Sequence, residues 1–303
     1  ADIVLGDRAF LVGPNASGKS NFLDVFRFLR DISKSGGGLQ WSVAERGGLP
    51  KIRCLAARRN PVVEIEVHLS ETNNEQPVWT YRIGIVQEPR GLRRATLKYE
   101  SVQKNGEMIL DRPNHDDKND PERLTQTALE QISANQPFRD ISDFFQSTVY
   151  LHLIPQLLRF PKDFAMIESS DDPFGKNFLK KIAQTNVSTR QARFKTILTV
   201  LKKAIPQFEA IDLAVDDDDG TPHLEALYTH WRPKAGRQRE DQFSDGTLRL
   251  IGFLWSLLEG DSLLLMEEPE LSLHTGIVKK IPSLIHQISK KTKKKRQIFI
   301  STH

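Results

Sequence analysis

Residues 13–20 read GPNASGKS, and this octet restricts the possible folds more than any other stretch of the chain. It fits the spacing G-x-x-x-x-G-K-S. The apolar run Ala9-Phe10-Leu11-Val12 leads directly into it, and Phe22, Val25, Phe26 and Leu29 follow at helical spacing. Strand, glycine-rich loop and helix in that order make a phosphate cradle. Gly13 and Gly18 let backbone N–H groups curl round a phosphate, and the helix adds its positive N-terminal end. Pro14, Asn15, Ala16 and Ser17 fill the loop. Lys19 would neutralise charge on the β- and γ-phosphates, and Ser20 would ligate Mg2+. Such a loop belongs to an α/β fold whose parallel sheet gathers its ligands at the carboxyl ends of the strands.

Three further polar clusters stand where such a sheet would use them. The buried-strand pattern SLLLM (262–266) ends in Glu267 and Glu268. Two ionised carboxylates there need partners, and beside a phosphate loop the first holds Mg2+ through water while the second polarises an attacking water. The run QIFIS (297–301) precedes His303, whose imidazole can reach a γ-phosphate from that position. FSDGT (243–247) puts Ser244 and Gly246 at the mouth of an apolar helix spanning 246–260. Taken alone, that last cluster is an ordinary N-cap, with Ser244 or Asp245 accepting from the first turn.

The remaining pattern divides the chain. Alternating residues predict half-buried antiparallel strands at 63–69 and 79–85, and Asn105-Gly106 and Asp219-Gly220 mark hairpins. Between 120 and 208 the alternation gives way to helical spacing. The expected organisation is therefore one domain over 1–303, with a nucleotide-binding α/β lobe (1–119 and 209–303) and an inserted, mainly helical subdomain (120–208). Ile277, Ile281, Leu284, Ile285 and Ile288 predict one continuous helical face.

At 303 residues, with 38% hydrophobic and 27% charged, the chain can bury a full core. Its single cysteine, Cys54, excludes an internal disulfide and a cysteine-built zinc site, and reads as a small buried apolar residue. No apolar run reaches the roughly 18 residues of a membrane span and no leader opens the sequence, so a cytoplasmic protein without a membrane partner is expected. The formal net charge of +4 permits an anionic partner. HDDKND (115–120), DDDDG (216–220) and KKTKKKR (290–296) read as solvated loops, the last with contact to DNA phosphates as its functional alternative.

In order along the chain, these motifs resemble the ATP-binding-cassette ATPases: Walker A (13–20), signature (243–247), Walker B with a catalytic glutamate (263–268), a D-loop-like segment (270–274) and an H-loop (301–303). Transporter cassettes usually carry LSGGQ and an acid pair followed by PTSALD. This chain has FSDGT and EEPELSLH, and resembles instead the stand-alone ATPases related to the overcoming-lysogenization-defect proteins, RecF and the Rad50/SMC heads. The resemblance implies a P-loop NTPase of ABC-type architecture, with a core parallel sheet, an antiparallel β layer and a helical lobe carrying the signature. It also implies ATP and Mg2+ as ligands, Ser20 and Glu267 at the metal, and Glu268 and His303 in catalysis. The working form would be a nucleotide-sandwiched homodimer or larger homo-oligomer in which Ser244 and Gly246 serve the nucleotide on the opposite subunit.

An effector protein encoded nearby, in anti-phage defence or DNA maintenance, is the partner the resemblance suggests. A transporter subunit and a non-hydrolysing ATP-dependent scaffold are the alternatives. Two departures stand out. Glu267 replaces the usual metal-site aspartate, and Gln156 is the one candidate for the Q-loop glutamine. The chain also begins close to its phosphate loop and stops at the H-loop residue, past which relatives continue, so truncated ends are expected.

Overall fold

Strand β1 (Arg8–Val12) runs into the glycine-rich loop and helix α1 (Lys19–Ser33) leaves it, the order the octet predicts. The computed structural model describes residues 2–54, 60–71, 76–89, 91–160, 172–229, 236–290 and 296–303. By the density of their contacts the residues form two units, Ser20–Thr148 and Ala1–Lys19 with Val149–His303.

In the first unit α1 is followed by α2 (Leu39–Glu45) and α3 (Leu49–Ile52). An antiparallel sheet comes next: β2 (Val63–Leu69), β3 (Trp79–Gln87), β4 (Ala95–Lys104) and β5 (Glu107–Arg112), paired in that order. Lys104 pairs with Glu107 across Asn105 (φ 51°) and Gly106 (φ 84°), the two left-handed positions that a tight hairpin requires. Helices α4 (His115–Asn119) and α5 (Arg139–Gln146) complete the unit. Tyr81, Ile83 and Ile85 on β3 are fully buried, in one core with Leu29, Ile32, Phe138 and Phe145.

Two readings change here. HDDKND is not a solvated loop: Asn114 caps α4 and Asp117 is buried against Arg112. All five guanidinium N–H donors of Arg112 are engaged, by Asp117 (3.0 and 2.8 Å), Glu100 (3.1 Å) and the carbonyls of Gln126 (2.9 Å) and Arg123 (2.8 Å). Cys54 is exposed rather than buried, because it lies just past α3, beyond the apolar position that buries Leu49.

The second unit continues with β6 (Val149–Leu151), α6 (Pro155–Arg159), α7 (Phe178–Gln184) and α8 (Val187–Ala204). A small antiparallel sheet follows, formed by β7 (Phe208–Val215), β8 (Pro222–Tyr228) and β9 (Gln238–Arg239). Then come α9 (Asp245–Leu258), β10 (Leu264–Glu267), α10 (Thr275–Val278), α11 (Ile281–Ser289) and β11 (Ile298–Thr302). The expected single helix over 277–288 is thus split, with Pro282 in the first turn of α11, where its missing N–H does no harm. Of the DDDDG run, Asp216 is tied to Arg239 (2.9 Å) and His223 (3.0 Å), and Asp217 to Gly220 are exposed at the β7–β8 turn.

Helix α9 is apolar almost all round and is buried accordingly. Its Trp255 is fully buried, with ring centroids of Phe178 and Phe194 at 6.4 and 5.5 Å. Truncating such a side chain costs about 3–5 kcal/mol, so α9 anchors the unit. The parallel sheet beside it runs β1-β11-β10-β6. Among the described residues no helix is long and apolar enough to cross a membrane.

Candidate functional site

Parallel pairing sets the site. Val12 pairs with Thr302, Ser301 with Glu267, and Met266 with Leu151, so four neighbouring strands end within two residues of one another. The residues that follow are Gly13, His303, Glu268 and His152. Because β11 lies between β1 and β10, His303 falls between the glycine-rich loop and the acid pair.

In the loop, Ala16 (φ 62°) and Gly18 (φ 93°) take left-handed backbone conformations, and the Ser17 N–H donates to the Pro14 carbonyl at 3.3 Å. A Cβ at Gly13 would lie 2.8 Å from Ser17 Oγ, so a larger residue there would push the Ser17 hydroxyl aside. Lys19 Nζ donates to the carbonyls of Gly13 (2.7 Å) and Pro14 (3.1 Å), which folds the ammonium over its own loop. Asn15, Ala16 and Ser17 are exposed, and Ser20 follows Lys19 in the first turn of α1.

Glu267 closes β10 and accepts a hydrogen bond from the Tyr150 hydroxyl. Glu268 has φ 45°, a left-handed conformation that costs a non-glycine residue about 1–2 kcal/mol. Its N–H donates to the Ser301 carbonyl (3.0 Å), and its Oε1 lies 2.8 Å from His303 Nε2. Glu270 holds the neighbouring strand end from the other side: its Oε1 accepts from the Thr302 hydroxyl (2.6 Å) and the His303 N–H (3.0 Å).

Ser244 caps α9, its Oγ accepting from the Thr247 N–H at 3.1 Å and lying 2.9 Å from Thr247 Oγ1. The N-cap role is therefore present, and the hydroxyl is engaged rather than free. Gly246 answers a different need. A Cβ there would lie 2.5 Å from the Ser272 carbonyl oxygen, and Ser272 itself has φ 64°. Helix α9 thus packs its backbone directly against the turn that follows the acid pair. Asp245, next to Ser244, binds Arg159 (2.6 Å) and Gln156 (3.3 Å), so the Q-loop candidate is tied to the start of α9.

The structure brings Gly13 to Lys19, Glu267, Glu268 and His303 to one sheet end, and Ser244, Gly246 and Gln156 to the start of α9. Tyr150 is an addition that sequence reasoning gave no role, and Glu270, read there only as the start of a D-loop-like segment, gains a specific one. EEPE does contain Glu270, but only strand pairing reveals what it holds. For Mg2+, the carboxylate of Glu267 is a hard oxygen donor of the kind that suits an ion shared with nucleotide phosphates. Among the described residues no group of three or more His, Cys, Asp or Glu side chains could hold a metal on its own. Residues 291–295 of the basic run lie outside the described residues. Arg296, its last member, is no solvated charge: it donates to the carbonyls of Ser256, Glu259 and Ser262, just past and at the end of α9.

Residues 8–303 match the family described as "AAA domain, putative AbiEii toxin, Type IV TA system". The chain belongs to this AAA-domain family. No curated protein gives a significant match. Among solved structures, an SMC head bound to the C-winged helix domain of ScpA is similar at 18% identity and a TM-score of 0.52, over 98% of this chain and 82% of that one. The SMC head domain from Thermotoga maritima gives 12% and 0.43, over 99% and 82%. The ADP form of an ATP-binding cassette of an ABC transporter gives 13% and 0.30, over 80% of each chain. This AAA-domain chain therefore has the α/β P-loop fold of the SMC-head type, with a parallel core sheet and separate antiparallel sheets.

Proposed function

We propose that this AAA-domain chain binds ATP with Mg2+ and hydrolyses it to ADP and phosphate. The observation that carries the reading is that β1, β11 and β10 end within one residue of one another, which gathers Gly13, His303 and Glu268 along one edge. In this reading the loop Gly13–Ser20 cradles the phosphates, Lys19 leaves its carbonyl partners for the β- and γ-phosphates, and Ser20 and Glu267 hold the metal. Glu268 orients a water and takes its proton as the oxygen attacks the γ-phosphorus. The bond to the bridging oxygen breaks and ADP leaves. His303, 2.8 Å from Glu268, fixes the carboxylate and reaches the γ-phosphate.

Ser244 and Gly246 complete the site of a second copy, in a nucleotide-closed dimer or larger homo-oligomer. The cycle of closing and opening drives a partner, an effector protein or DNA, in anti-phage defence or DNA maintenance. The context rests on family resemblance, the chemistry on the site. Steady-state phosphate release by the purified chain with ATP and Mg2+ tests the proposal: turnover is expected, and nucleotide binding without turnover would favour an ATP-dependent scaffold instead.

A further inference from the structure

Among the described residues, the buried polar atoms at this sheet end that lack a hydrogen-bond partner include Arg249 Nε and Glu270 Oε2. Arg249 stands on α9 five positions past Ser244 and lines a small cleft with Leu151, Met266, Glu267 and Pro269. Burial opposes its charge, and the nearby carboxylates of Asp245, Glu268 and Glu270 favour it. Among the described residues none of these acids bonds to it. Glu270 spends its other oxygen, Oε1, on the Thr302 hydroxyl and the His303 N–H, and His303 in turn contacts Glu268. A buried guanidinium Nε–H and a buried carboxylate oxygen that both lack partners each carry a desolvation cost, and pairing would relieve both.

We propose that Arg249 and Glu270 are a latent ion pair of positioning residues: when the start of α9 shifts, Arg249 engages Glu270 Oε2 and fixes His303 and Glu268 for hydrolysis. The inference rests on the hydrolytic reading of the site. It gives the signature helix a physical route to the strand end, because Gly246 of the same helix already abuts Ser272 in the turn after Glu270. Neither residue need touch the nucleotide.

The test uses the full chain and the variants Arg249→Met, Arg249→Lys, Glu270→Gln and the Met/Gln double variant. Turnover, binding of a non-hydrolysable ATP analogue, and amide exchange of residues 298–303 with and without the analogue are measured on each. Each single variant to Met or Gln should lose at least tenfold in kcat, with analogue affinity within twofold of wild type. The double variant should lose no more than the worse single one, and Arg249→Lys should recover part of the loss. The analogue should deepen exchange protection of 298–303 in wild type and not in Arg249→Met. Multiplicative losses in the double variant, or undiminished protection in Arg249→Met, would overturn the pair. Absence of turnover in wild type would instead sink the hydrolytic reading, and the exchange comparison would still decide the pair.

Discussion

His303 Nε2 lies 2.8 Å from Glu268 Oε1, across the ends of two hydrogen-bonded parallel strands. The contact joins the last described residue to one 35 positions earlier, and it is the point where the phosphate loop's neighbour and the acid pair meet. Glu268 reaches it from a left-handed backbone conformation that strain alone would disfavour.

Lys19 and Glu268 should separate binding from turnover. Lys19→Ala removes the ammonium that closes the loop and should weaken nucleotide affinity. Glu268→Gln keeps the shape of the site and should bind ATP while losing about 100-fold or more in turnover. Equilibrium binding and phosphate release on both variants check this. Near-normal hydrolysis by Glu268→Gln would remove that residue from the catalytic role.

Ser244 carries two roles that substitution can separate. Ser244→Ala loses the cap to Thr247 and should cost about 1 kcal/mol of stability. Ser244→Arg, in a Glu268→Gln background, should in addition abolish the ATP-dependent closed dimer while sparing ATP binding at the loop. Sedimentation with ATP, ADP and no nucleotide reads the outcome. A Ser244→Arg chain that hydrolysed ATP normally as a monomer would leave only the cap.

Gly246→Ala would place a methyl group 2.5 Å from the Ser272 carbonyl, a backbone atom that cannot swing aside. A destabilisation of about 1–3 kcal/mol is expected, with turnover falling as the turn after the acid pair is displaced. Thermal denaturation together with phosphate release measures both. An unchanged melting temperature would show that the turn yields freely.

Asp117 should control the acid limit of the Ser20–Thr148 unit. Hydrogen bonding from Arg112 pulls its carboxyl down to about 2, whereas burial raises that of Glu100 in the same network. A depressed acid stabilises the fold above its ordinary pKa of 3.8, and the stabilisation, about 2 kcal/mol, is lost as pH falls towards 2. Glu100 acts with the opposite sign. Asp117→Asn should therefore destabilise by about 3 kcal/mol near neutrality, because it leaves Arg112 short of a buried charge partner. The gap to wild type should narrow as pH falls from about 4 to 2. Chemical denaturation across that range would show it, and a gap independent of pH would refute the assignment.

The sequence alone determined the phosphate loop, the acid pair at a strand end, the terminal histidine and the order in which they come. Each rests on short-range chemistry: glycines for backbone curvature, adjacent carboxylates that demand partners, and periods of 2 and 3.6 that mark strand and helix. The Asn105-Gly106 hairpin was legible for the same reason. What lay beyond reach depends on residues distant in the chain. β6 has three residues, too few to show a period, and its Tyr150 meets Glu267 across 117 positions. Asp117 looks like one more charge in an acidic run until the fold seats it on Arg112. Glu270 becomes the holder of His303 only when β10 and β11 pair. A local pattern records which face of an element is apolar, and therefore buried. Which partner lies opposite a given side chain is set by strand register and helix packing, and those are properties of the assembled unit.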